Sequence, residues 1–222
     1  MRDTSYKIKE IIKQHIINNK KEYIIVTSIL IVGIFLGVFF VNNIQENQRS
    51  EISEYLNHFI EKMKGTEKLD TISLLKTSIY QNLFLAITIW FFGTTVIGIP
   101  IVFGIVLYRG FCFGYTISVC VTILGINKGL MFSLVNLLLP SILLIPAIIA
   151  LAVSGFKLYK SIVKDKRREN IKLEILRHTI FSIIMLFIML ISSIIMLFIM
   201  LISSLIEILI STNILKLVIK YF

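Results

Sequence analysis

The sequence predicts an all-α, polytopic integral membrane protein. It should have about five transmembrane helices, one half-membrane or interfacial helix and a short external helical segment. Three observations lead there. From Leu83 to Phe156 the chain is almost free of charge, interrupted only by Arg109 and Lys128. About 20 apolar residues cross a bilayer as a helix, so this run is long enough for three crossings with short connections. Composition agrees: 56% of residues are hydrophobic and 16% charged, with a mean hydropathy of +0.87. Finally, the charged flanks alternate in sign in the way a multi-span topology requires.

The net charge of +10 could suggest nucleic acid, but the basic residues cluster at predicted membrane edges. There they set orientation and meet anionic headgroups, so membrane lipid and no nucleic acid is expected as a partner. The two cysteines, Cys112 and Cys120, are eight residues apart on one predicted helix. That is about 12 Å along its axis, too far for a disulfide. They read as two buried thiols packing as small apolar groups.

In chain order, residues 1–22 hold six basic residues against three acidic ones. Ile8, Ile11, Ile12 and Ile16 follow helical spacing, so this segment reads as a basic amphipathic helix on the inner membrane surface. The first span covers 23–41 and contains Gly33 and Gly37, a small-xxx-small pair suited to close helix packing. Residues 42–82 form the external segment. Ile52, Tyr55, Leu56, Phe59, Ile60 and Met63 mark one apolar stripe of a helix that Ser50 would cap. Forty residues build no independent core, so the stripe lies on the protein's own spans, on the membrane or on a partner.

The membrane core, 83–159, holds three spans. The second runs from about Leu83 to Leu107, with Gly93, Gly98 and a kinking Pro100. The third runs from Gly110 to about Leu124 and opens with Gly110 and Gly114, a second small-xxx-small pair. Gly125 to Gly129 reads as a tight turn. Leu130 to Leu139 is apolar but too short to cross, and Pro140 ends it. The fourth span, about Ser141 to Tyr159, contains Pro146. A basic cytoplasmic loop, 160–178, comes next, and the fifth helix occupies 179–210. In it Ile183–Ser193 is repeated without change as Ile194–Ser204. From Ile180 to Ile210 such a helix measures about 46 Å, against a hydrocarbon core of about 30 Å. Residues 211–222 form an external C-terminus. The basic N-terminus and the basic loop lie inside, the acidic segment outside, and five spans connect them without conflict.

Catalytic chemistry finds little support. His15, His58 and His178 all fall in flanks or loops, which leaves an intramembrane serine–histidine pair without candidates. There is no metal-ligand spacing, no phosphate-binding loop and no paired intramembrane carboxylate, so no catalytic residue, metal or cofactor is expected. Within the spans the lone carboxylate is Glu207, a functional hypothesis by its position. A small transporter or channel is the alternative class, suggested by proline-broken helices and the half-membrane segment.

Several motifs resemble the stage II sporulation protein M family over nearly the whole chain. They are Tyr80-Gln-Asn82, Gly93 and Gly98 through Ile99-Pro100, Arg109-Gly-Phe-Cys-Phe-Gly114, Pro140, Ile145-Pro-Ala-Ile148 and Leu205 to Thr212 around Glu207. Where the family carries His-Gly after the proline and a Glu before Pro-Ala, this chain has Ser141-Ile142 and Leu144-Ile145. The resemblance implies a non-enzymatic membrane scaffold of sporulation, at the septum and the engulfing membrane. It would gather peptidoglycan-degrading enzymes, stage II sporulation proteins P and D, for forespore engulfment. Docking is expected at Ile52, Tyr55, Leu56, Phe59, Ile60 and Glu207, and homo-oligomerisation stays open.

Overall fold

The computed structural model describes residues 13–63, 71–95, 97–134, 139–164, 171–195 and 198. Among them every regular element is a helix. A helical stretch at 13–18 turns at Asn19 into α1 (Lys20–Asn42). Then come α2 (Glu46–Met63), α3 (Thr71–Gly93), α4 (Ile99–Leu124), α5 (Ile126–Ser133), α6 (Leu139–Lys164) and α7 (Ile171–Ile195). Among the described residues, four helices are long and apolar enough to cross a membrane: α1, α4, Ser141–Val163 of α6, and α7. Helix α3 falls outside this class because Lys76, Tyr80, Gln81 and Asn82 interrupt its apolar run.

Side-chain contacts fix the helix directions. Gly33 and Gly37 of α1 meet Gly110 and Gly114 of α4 in the same order, so the two helices run parallel. Trp90 and Asn82 of α3 bond Thr179 and Ser193 of α7, in opposite order, so that pair is antiparallel. The start of α1 reaches the end of α6 through Glu22 and Lys160, and Phe103 of α4 packs on Phe156. One end of the bundle therefore gathers the starts of α1, α4 and α7 with the ends of α3 and α6. It is also the basic end, with Lys13, Lys20, Lys21, Lys157 and Arg177. The core lies between α1, α3, α4, α6 and α7, around Val26, Ile89, Val102, Val106, Ile148, Leu151 and Met189.

Several expected boundaries are corrected. The second span does not run from Leu83 to Leu107, and no span boundary falls at Tyr108–Arg109. Helix α3 stops at Gly93 and α4 runs unbroken from Ile99 to Leu124. The Thr94 and Thr95 hydroxyls donate to the Phe91 and Phe92 carbonyls and close the end of α3. Pro100 then sits in the first turn of α4, where a missing N–H costs nothing, so it starts a helix instead of kinking one. Arg109 accordingly lies inside a helix and not at a membrane edge.

The turn expected over Gly125 to Gly129 shrinks to Gly125, whose φ of 82° favours glycine. Helix α5 starts at once and covers Ile126–Ser133, with Leu134 still helical, and part of the half-membrane helix expected over Leu130 to Leu139 lies outside the described residues. Helix α6 runs past Tyr159 to Lys164, and α7 starts at Ile171, well before Thr179. The basic loop is thus largely helical, because its charged residues continue the helices beyond the apolar region. Ser50 is not a cap: α2 already starts at Glu46, and the Ser50 hydroxyl donates to the Asn47 carbonyl.

Candidate functional site

Two places combine polar or accessible side chains with a fixed framework. At the basic end, α6 and α7 are joined by Ser154 and His178, whose Oγ and Nδ1 stand 2.9 Å apart. Both residues are buried. His178 occupies the stripe that Phe181, Ser182 and Met185 continue into the core. The expectation that no histidine enters a span is corrected here: α7 begins seven residues before His178, so the ring is carried into the bundle. Trp90 Nε1 donates to Thr179 Oγ1 at 3.3 Å and ties α3 to the same turn. Gly93 makes this possible, because a Cβ there would stand 3.1 Å from His178 Nε2 and 3.2 Å from the Gly155 Cα.

His15 lies across the same end. Its Nδ1 is 3.1 Å from the Tyr23 hydroxyl, and its ring stacks on Phe181 at 4.2 Å. Burial, with the Lys157 and His178 charges adding to it, pulls the His15 imidazole down to about 4. The ring is therefore neutral at physiological pH. Glu22 and Lys160 pair at 2.7 Å, with the Lys160 ammonium 4.8 Å from the Phe156 ring centre. A cavity of about 470 Å³ opens beside His15, Ser154 and His178, with Asn18, Asn19, Lys157, Glu174 and Arg177 around it and Phe181 and Ile184 beneath.

This arrangement locks helices together more readily than it does chemistry. No carboxylate among the described residues orients the His178 ring from its other side, and Ser154 sits within a continuous helix away from any helix start. The described residues contain no group of three or more potential metal ligands.

At the opposite end, α2 lies against the last turns of α4. Leu56 is buried on Val119 and Cys120, and Ile52 packs beside it. Together with Val41, Asn42, Ile44, Arg49, Thr122 and Ile123, Ile52 also borders a cavity of about 280 Å³. Of the stripe expected to dock a partner, Leu56 is thus packed on the protein's own α4, and Ile52 partly so. Tyr55 points away and is 75% exposed. The side chains of Phe59 and Ile60, and all of Glu207, lie outside the described residues.

Gly33, Gly37, Gly110 and Gly114 face one another, and a Cβ on Gly33 would land on the Leu107 carbonyl oxygen. Gly98 is buried in the turn before α4 against the Phe92 carbonyl. Pro140 is the second residue of α6, and Pro146 lies inside that helix, exposed on its surface. Sequence reasoning missed the Ser154–His178 and Asn82–Ser193 pairs. The helical spacing His178, Phe181, Ser182, Met185 was the available signal for the first.

No curated protein and no solved structure matches the chain. The family model for stage II sporulation protein M matches residues 26–212, from the first turns of α1 to beyond the described part of α7. With most of its length covered, the chain belongs to the stage II sporulation protein M family.

Proposed function

We propose that this protein is a non-enzymatic membrane scaffold of sporulation that presents α2 outside the cytoplasmic membrane to peptidoglycan-degrading enzymes. Stage II sporulation proteins P and D are the expected partners, and the engulfing septal membrane is the expected place. The family match over residues 26–212 carries this reading. The geometry supports it: α2 is anchored by Leu56 on α4 and leaves Tyr55 free.

A five-span topology belongs to the same proposal. Helices α1 and α4 are parallel, so the chain must return between them. Helix α3, with 23 residues or about 34 Å, is long enough for that return. Its polar Asn82 is compensated by Ser193. With the basic end in the cytoplasm, α2 and the C-terminus face outward. A cysteine placed at Asn57 should then react with an impermeant thiol reagent in intact cells, whereas one at Arg168 should not. The reverse pattern overturns the topology.

Recovery of the wall-degrading partner from sporulating cells tests the scaffold. Tyr55→Ser should reduce it while leaving membrane insertion unchanged. Full recovery with Tyr55→Ser removes α2 from the proposal.

A further inference from the structure

The unpartnered faces of α1 and α4 differ in chemistry. That of α1 exposes Val32, Phe35, Leu36 and Phe39, all apolar and suited to lipid. That of α4 exposes Ile101, Gly104, Tyr108 and Thr116, with Arg109 at its edge and half-buried. A Cβ on Gly104 would meet nothing within 4 Å. Arg109 makes no hydrogen bond or ion pair with any described residue.

Depth makes this unusual. The Gly33–Gly110 contact sets Arg109 level with Val32. Val32 is ten residues from Glu22 and ten from Asn42, the polar limits of α1. About 15 Å of helix therefore separates Arg109 from either surface. A cation at that depth is costly, and it is kept where something compensates it. A lipid phosphate sits at the headgroup level, a helix-half away. The described spans carry their carboxylates at the basic end, as Glu22 and Glu174, so none of them meets Arg109 at this depth.

We propose that the Gly104–Tyr108–Thr116 face of α4 receives a transmembrane helix of another protein, whose Asp or Glu carboxylate pairs with Arg109 at mid-membrane. This rests on the scaffold reading in one respect: the helix belongs to a protein that the scaffold recruits. Gly104 permits close approach of the backbones, and the exposed Tyr108 hydroxyl next to Arg109 adds hydrogen-bonding capacity, whereas the Thr116 hydroxyl already donates to the Cys112 carbonyl of its own helix. Arg109 supplies a planar fork of donors that matches a carboxylate.

The test uses the full chain reconstituted in phosphatidylcholine vesicles at neutral pH. Labelled poly-leucine transmembrane peptides carry one central Glu, Gln or Leu, and energy transfer reports association. The Glu peptide should bind about tenfold tighter than the Leu peptide, the size of one good interhelical polar contact. Arg109→Gln should abolish that preference, and Arg109→Lys should keep most of it. Equal binding of all three peptides, or a preference that survives in Arg109→Gln, overturns the proposal. So does self-association of the labelled chain that depends on Arg109, because the occupant is then a second copy. Loss of enzyme recruitment in cells with the Glu preference intact in vesicles would sink the scaffold and leave this site standing.

Discussion

The two halves of the bundle are held together by different means. Helices α1 and α4 come closest through bare backbone: four glycines interlock, Phe40 packs on Phe111 and Tyr115 beside them, and no side-chain hydrogen bond between the two helices is found among the described residues. Helices α3, α6 and α7 meet through polar pairs, Ser154 with His178, Trp90 with Thr179 and Asn82 with Ser193, plus one glycine contact. Within a membrane the hydrophobic effect does not drive one helix onto another, since lipid tails are as apolar as leucine. Close packing and interhelical hydrogen bonds are what remain, and this chain uses one in each half. The glycine interface fails by steric overlap, in an all-or-none manner. The polar interface fails one bond at a time.

The largest expected effect comes from that contrast. Gly33→Ile or Gly114→Ile places a branched side chain on a backbone carbonyl of the facing helix. No rotamer relieves such a clash, so the helices must part, at more than the about 1–3 kcal/mol of ordinary overpacking. Accumulation in the membrane should fall steeply, and thermal unfolding in detergent should lose cooperativity. Gly104→Ala, on the open face, should leave both unchanged. If Gly33→Ile behaves like Gly104→Ala, the interlock is not what holds α1 to α4.

In the other half, His178→Leu should cost about 1–3 kcal/mol by leaving Ser154 buried without its partner. The double variant with Ser154→Ala should cost less than the sum of the single changes, which a double-mutant cycle would detect. Strict additivity would mean that the 2.9 Å contact carries no coupling. Asn82→Leu should be milder. Interhelical hydrogen bonds in membranes average about 0.6 kcal/mol, reaching about 1.7, and leucine suits a lipid environment.

His15 sharpens the comparison through pH. Its pKa is lowered in the folded protein to about 4, from 6.5. The unfolded chain therefore binds the proton more readily, and stability should be full above pH 6.5 and decline as pH falls towards about 4. His15→Phe keeps the stacking on Phe181 and should flatten that slope. An unchanged slope would place the acid sensitivity elsewhere.

These contacts were unequally legible in the sequence. The spacing of Gly33 with Gly37 and of Gly110 with Gly114 is a one-dimensional signal, readable without knowing the mate. That they mate with each other depends on the path of the chain, which periodicity does not contain. The unbroken hydropathy from Leu83 to Leu107 hid the break between α3 and α4, although Pro100 is well suited to the first turn of a helix. His178 was misplaced because Arg177 and Lys172 beside it read as a loop. A helix that carries charge on one face and core residues on the other shows both signals at once. The stripe of α2 could not be assigned either, since a helix face looks the same whether a partner or the protein's own α4 covers it.

The smallest effect is expected from the tandem duplication. The first copy, Ile183–Ser193, supplies buried Met185, Met189 and Ser192, and Ser193, which receives the Asn82 amide. Because the copies are identical, deleting either one yields the same chain, and a Ser-Ser still ends the retained copy at the position of Ser193. Eleven residues are close to three helical turns, so the helical phase of the residues after Ser204 shifts by only about 20°. An apolar run that exceeds the bilayer costs only fractions of a kcal/mol per Å, so shortening it changes little. Insertion, partner recovery and sporulation should therefore survive removal of Ile194–Ser204. Removing only Ile194–Leu197 turns the helical phase by about 40° and should perturb more. An eleven-residue deletion that still accumulates yet blocks engulfment would show that the second copy contributes contacts of its own. The bundle would then depend on α7 well beyond Ser193.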